Sequence, residues 1–221
     1  MPSVKISLRI SFATPPSVGA GGVTGTLADK VVTRDARGRF IIPASQVKGK
    51  LRHACKQLLR AQGVPLCHPP QPERMCPHDE DVKSPPCLLC KVFGSPAERS
   101  RLRFHDLAAE ESESHGETLR AMVSLNRRRR TAEAQRLFLV ETAPNVSGLL
   151  FGSEEAITGY VEDGGHLQLL LAGLRMLFAW GGGASRGLGW GELTARAWLD
   201  GQEVQLDIEE VKALCPSSPS A

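Results

Sequence analysis

The sequence predicts an α+β fold with a βαββαβ core, and three segments carry that prediction. Residues 3–12 (SVKISLRISF) alternate apolar and polar side chains, as a half-buried strand does. Residues 46–61 place Val47, Leu51, Ala54, Cys55, Leu58 and Leu59 on one helical face. Residues 166–180 (HLQLLLAGLRMLFAW) form a largely apolar helix that passes through a glycine-dense run into a strand over Leu193–Leu199.

Between these anchors the elements follow from local chemistry. Residues 15–28 hold four glycines and two prolines and leave the sheet as a loop. Residues 30–42 read as a short hairpin turning around Asp35 to Gly38. Pro43 and Ser45 announce the first helix, with Ser45 as its expected N-cap. Residues 63–97 contain eight of the fifteen prolines and no periodicity, which marks an insertion. Residues 101–106 suit a strand, and the acidic stretch 108–118 suits a loop. Residues 121–130 and 137–143 read as strands around a polar excursion, and 147–162 as a further extended piece. The expected organisation is a single domain over 1–207, with an insertion at 63–97, a projecting segment at 124–160 and a tail from 208 to 221 ending in CPSSPSA.

The net charge of +3 conceals a gradient. Residues 1–60 carry eleven Lys or Arg against two Asp, whereas residues 151–221 carry four basic and ten acidic residues. A basic first quarter suits a polyanion, because each neutralised phosphate releases a counterion. Solvated surfaces of differing composition would give the same gradient. Aromatic residues are only 5% of the chain, which argues against stacking as the main mode of recognition. No stretch approaches 18 apolar residues and residues 1–20 lack a signal-type apolar run, so a soluble, cytoplasmic protein without membrane association is expected.

Three motifs point to chemistry. Cys67, Cys76, Cys87 and Cys90 crowd into the proline-rich insertion, and Cys87-x-x-Cys90 is a common half of a structural zinc site. His68 and His78 are alternative ligands, and reduced thiols in a loop are the competing explanation. Cys55 and Cys215 do not read as ligands. In the run GGGASRGLGWGEL, Gly182, Gly183, Gly187 and Gly189 surround Ser185 and Arg186, so main-chain N–H groups and a guanidinium could track a phosphate backbone. A helix cap followed by an ordinary loop would look the same. The third motif, IPASQVKGKLRHA, brings Ser45, Lys48, Lys50 and Arg52 to a helix N-terminus, where anions bind and where basic residues are also commonly just solvated.

Together, IPASQVKGKLR and GGGASRGLGWGEL resemble the signature of the RAMP superfamily, the repeat-associated proteins of CRISPR systems. The segments CLLCKVFGS, RLRFHDL and SLNRRRRTAEAQRLFLVET lie between them in the same order as in type III backbone subunits, and Ala44-Ser45-Gln46 departs mildly from that family's small-residue turn. The resemblance implies an RRM-like (ferredoxin-like) palm with a thumb-like hairpin, to which the cysteine cluster adds a zinc-binding insertion. It also implies a guide (CRISPR) RNA and a target RNA as ligands, with copies of the chain and other effector subunits as neighbours. By carry-over, Ser45, Lys48, Lys50, Arg52 and the loop Gly182–Gly189 contact guide phosphates, and Asn126 and Arg127 match the thumb's Asn-Arg motif. Asp29, ahead of KVVTRD, corresponds to the aspartate with which some backbone subunits cut target RNA, aided by a divalent metal such as Mg. A non-catalytic scaffold and a stand-alone guide-processing endoribonuclease are the competing functions. All of these RNA-binding readings expect Lys48 and Arg186 to face one groove.

Overall fold

The computed structural model of the 221-residue chain describes residues 1–19, 28–77, 86–110, 118–144 and 149–214. Strand β1 (Ser3–Phe12) is central. Its inward residues Val4, Ile6, Leu8, Ile10 and Phe12 are all buried, as the alternation predicts. It pairs antiparallel with β7 (Leu149–Tyr160) on one side and β8 (Gly191–Leu199) on the other. Beyond β7 lie β4 (Leu107–Ala109) and β2 (Ile41–Ile42), while β3 (Leu102–Phe104) pairs a further stretch of β7 and β9 (Gln202–Val204) borders β8. The core order β4-β7-β1-β8, all antiparallel, is that of an RRM-like palm.

Helices α1 (Ala44–Ala61) and α3 (Gly164–Arg175) lie side by side over the buried face of this sheet, and the short α2 (Leu88–Phe93) belongs to the insertion. They approach closely at Gly173, where an added Cβ would lie 2.6 Å from the Cys55 sulfur. The opposite sheet face is polar, and its cations meet carboxylates: Lys5 with Glu155 at 3.4 Å, Arg9 with Glu110 at 2.9 Å, Arg196 with Glu203 at 2.9 Å.

Several elements differ from expectation for identifiable reasons. Ser45 is not the cap of α1; Pro43 holds that position, and the Asp106 carboxylate accepts the Ala44 N–H at 2.7 Å from 62 residues away. The apolar run at 166–180 stays helical only to Arg175, with Asp163 capping its start. Residues beyond it are drawn into pairing with the far arm of the glycine loop: Ala179 bridges Trp190, and Trp180 N–H donates to Gly189 O at 2.8 Å. The projecting hairpin consists of β5 (Thr118–Asn126) and β6 (Thr131–Thr142), so the polar stretch 131–136 is strand. Residues 149–160, extended as expected but counted within the projecting segment, form β7 of the palm. Within the tail, α4 (Ile208–Ala213) packs on α3, with Leu214 against Gly165, whereas 215–221 lie outside the described residues.

The glycine loop is fastened to the sheet at Gly189. Its φ is +69°, and an added Cβ would collide with the Trp180 carbonyl. Gly182, by contrast, has its nearest neighbour 3.8 Å from such a Cβ. Gly189→Ala is therefore expected to lower Tm by roughly 5–10 °C in a thermal melt, while Gly182→Ala leaves it within about 2 °C. Equal melting of the two variants would show that the loop is not anchored there.

Candidate nucleic-acid interface and metal centre

The exit of β1 gathers the parts of the site. Pro15, Pro16, Ser17 and Val18, expected as an open loop, are buried. Pro15 O accepts Gly189 N–H at 3.1 Å and Ser17 O accepts Gly182 N–H at 2.8 Å, which fastens the glycine loop. Val18 O accepts Thr33 N–H at 2.8 Å, which fastens the segment after Asp29. Ser17 Oγ donates to Glu141 O at 2.9 Å, and Pro16 O accepts Ala143 N–H at 2.9 Å, which fastens the base of the hairpin.

These three segments enclose a cavity of about 450 Å³ whose lining includes Asp29, Lys30, Gly182, Gly183, Arg186 and Met122. Asp29 is held in it by the hairpin, since its Oδ2 accepts the Leu139 N–H at 2.7 Å and Leu139 O accepts Asp29 N–H at 3.0 Å. The next residues are locked by Glu141. This buried carboxylate pairs with Arg34 at 2.6 Å and accepts the Val32 N–H at 2.9 Å. Removing either partner of so buried a pair strands a charge. The main-chain cradle expected from the glycines is largely spent. The N–H groups of Gly182, Arg186, Gly187, Leu188 and Gly189 all donate to carbonyls within the protein. Positive charge in the cavity therefore comes from Arg186 and Lys30, with Ser185 exposed beside them.

Helix α1 turns its basic residues in two directions. Lys48 and Arg52 line a depression toward Met75, Phe93 and residues 94–100, with the Lys48 ammonium 5.7 Å from the Phe104 ring centroid. Lys50 faces a separate cleft lined by Gly49, His53, Gln57 and residues 176–179. Burial pushes both lysines below their ordinary pKa, Arg52 adding to the effect at Lys48. Lys48 and Arg186 thus line different depressions, contrary to the single groove expected. Lys50 adjoins the approach to the glycine loop, and Ser45 is exposed on the first turn.

At the hairpin tip Asn126 builds the turn. Its Oδ1 accepts the N–H groups of Arg128 at 3.1 Å and Arg129 at 3.0 Å, and its Nδ2 donates to Glu133 at 2.6 Å. Arg127 and its three arginine neighbours are exposed there.

The four cysteines converge. The Sγ atoms of Cys67, Cys76, Cys87 and Cys90 all lie within 4.8 Å of one another and all four residues are buried. Tetrahedral zinc with bonds of roughly 2.3 Å requires sulfur separations of roughly 3.8 Å. Cys67 to Cys90 is 3.5 Å and Cys87 to Cys67 is 3.8 Å, close to that separation, so the four thiols suit such an ion. Two donors outside the thiols support thiolate charge: Cys87 N–H reaches Cys76 Sγ at 3.3 Å and Arg52 Nη2 reaches Cys90 Sγ at 3.6 Å. The Cys90 thiol's hydrogen bond holds Cys87 down at about 4, whereas burial pushes Cys76 up to about 11. Without a cation the cluster ionises in part; a divalent ion would let all four ligate. His68 is not needed as a ligand, and His78 lies outside the described residues. Cys55 is buried between α1 and α3, where burial raises its thiol pKa. Among the described residues, Asp29 belongs to no comparable ligand group.

An RRM-like palm bearing an anchored glycine loop, a projecting hairpin and a cysteine-clustered insertion defines the class. Residues 9–192 match the RAMP superfamily, and the chain belongs to it. Among solved structures it is similar to a chain in the cryo-EM structure of the type III-B Cmr-beta complex bound to cognate target RNA, with a TM-score of 0.61 and 16% identity. The match covers 90% of this chain and 61% of that one, so the present chain spans less than two thirds of its relative's length. At that identity the likeness is one of fold. No curated protein sequence matches the chain. Among the described residues, no helix is long and apolar enough to cross a membrane.

Elemental analysis of the purified protein is expected to find about one zinc per chain, and Cys87→Ser to lose it. Chelation should lower Tm, because the insertion has little apolar core of its own. Unchanged melting after complete metal removal would rule out a structural ion.

Proposed function

We propose that the chain is a guide-RNA-binding backbone subunit of a cytoplasmic type III CRISPR ribonucleoprotein, assembling with copies of itself and with other effector subunits. The observation that carries this reading is the convergence of the glycine loop, the Asp29–Arg34 segment and the hairpin base on one cavity containing Arg186 and Lys30. The cavity offers cations where an RNA strand needs phosphate neutralisation. Lys50 extends the basic surface along α1, and the exposed arginines of the hairpin tip extend it outward. Lys48 and Arg52 serve the insertion more directly than the RNA, since Arg52 is hydrogen-bonded to Cys90. The cysteine cluster, as a zinc site, would close the insertion against that side of the helix.

Deleting a cation that touches phosphate weakens binding of every RNA sequence alike. Arg186→Ala and Lys50→Ala are each expected to lower affinity for single-stranded RNA, and to flatten the plot of log affinity against log salt by about 0.7 for each phosphate no longer neutralised. An unchanged slope in both variants would place the RNA elsewhere.

A second reading adds cleavage of target RNA by Asp29, and its support is the position of that carboxylate in the same cavity as Arg186. From there it could take the proton of a ribose 2′-OH, or share a magnesium ion with the RNA's own phosphates. Asp29→Asn is the informative variant, because its amide oxygen can still accept the Leu139 N–H while the charge is gone. In the assembled complex this variant is expected to retain guide binding and to lose target cutting at that subunit by about 100-fold or more. Undiminished cutting would leave the subunit a purely structural RNA-binding scaffold.

A further inference from the structure

Aromatic residues are few, but two stand exposed together. Phe178 is 59% and Trp190 45% exposed, with ring centroids 5.3 Å apart and planes at 45°. Their backbones are fixed, since Gly191 N–H donates to Phe178 O at 2.9 Å and Trp190 N–H to Thr14 Oγ1 at 2.9 Å. The Trp190 indole is pinned as well, its Nε1–H donating to Ala184 O at 2.9 Å over the turn that carries Arg186. An exposed aromatic pair held rigid in this way forgoes the stabilisation that burial would give each ring.

Beside the pair lies the cleft of about 290 Å³ between α1 and residues 176–179, with Lys50, His53 and Gln57 on its helical wall. That wall also contains Gly49, in the interior of an 18-residue helix. Nothing lies within 4 Å of a Cβ built there, so neither packing nor a strained φ explains the missing side chain. Glycine in that setting weakens a helix relative to alanine. Its effect is to leave the wall flat opposite Phe178.

We infer that Phe178 and Trp190 form a shelf on which a base of single-stranded RNA stacks, with Gly49 giving it room and Lys50 and His53 meeting the adjoining phosphate. Charge selects this occupant over a hydrophobic protein segment, because Lys50 lines the same cleft as Phe178 and the turn that holds the Trp190 indole carries Arg186. Stacking is tolerant of sequence because every base has a π-face, which suits a protein that must accept any guide. The inference rests on the RNA-binding reading above and adds a base-contacting subsite to it.

The test uses the full chain and a labelled 20-nucleotide single-stranded RNA, alongside the same backbone with abasic sugars. Phe178→Ala should weaken binding of the intact RNA about five- to a hundredfold with an unchanged salt slope, and Phe178→Tyr should retain it. Gly49→Leu should weaken binding while leaving Tm equal or higher. Abasic RNA should bind the wild type more weakly than intact RNA, a difference absent in Phe178→Ala. RNA should quench tryptophan fluorescence in the wild type and less in Trp190→Phe. The shelf is overturned if the wild type binds intact and abasic RNA equally, or if Phe178→Ala and Gly49→Leu bind as the wild type does. Altered self-association with unchanged RNA affinity would assign the surface to a protein neighbour and also overturn it. A wild type that binds no RNA would sink the underlying reading too.

Discussion

The hydrogen bonds made by the five or six residues after β1 are the constraint on which the rest of the site depends. Strand β1 is fixed by pairing on both edges, so its exit is a firm point from which loops can be hung. Pro15 and Ser17 hold the glycine loop, Val18 holds the segment that follows Asp29, and Pro16 and Ser17 hold the hairpin base. Residues separated by more than 150 positions in the chain thereby share one cavity. A buried Pro-Pro-Ser is suited to this role. Its prolines have no N–H to leave unsatisfied, while their carbonyls remain available to neighbouring segments.

Much of the fold was legible because burial imposes periodicity. The alternation of residues 3–12 and the stripe of α1 translate directly into the sheet and the helix above it. What escaped was set by distant partners. Asp106 caps α1 from another element, and Trp180 leaves the helix to pair with Gly189. Residues 131–136 are exposed on both faces because a two-stranded hairpin standing off the sheet is wet on both sides. β7 lacks a clean alternation, with charged Glu154 and Glu155 in its middle, so its central position came from pairing with β1.

The site was partly legible in the same sense. Four cysteines within 24 residues announced a cluster, and they meet as one. The glycine loop and Asp29, about 150 residues apart in sequence, line one cavity. The groove expected to join Lys48 to Arg186 is not seen, and the helix also separates Lys48 from Lys50. Two residues apart on a helix means roughly 200° around its axis, so they face opposite ways. Lys48 and Arg52, four apart, share a side, and that side faces the cysteines. Glu141 gave no sequence signal beyond an ordinary strand-end acid. Its importance lies in being buried against Arg34.

The close approach of α1 and α3 at Gly173 has a kinetic consequence. With the Cys55 sulfur and Leu51 seated where a side chain would otherwise stand, the two helices interlock and sliding of one along the other is blocked. The wall that carries Lys50 and His53 is accordingly shaped before any ligand arrives, and encounter need not wait for a rearrangement of the palm. On the proposed RNA reading, association at that wall is then governed by diffusion and long-range charge, with residence time left to the interactions made after docking.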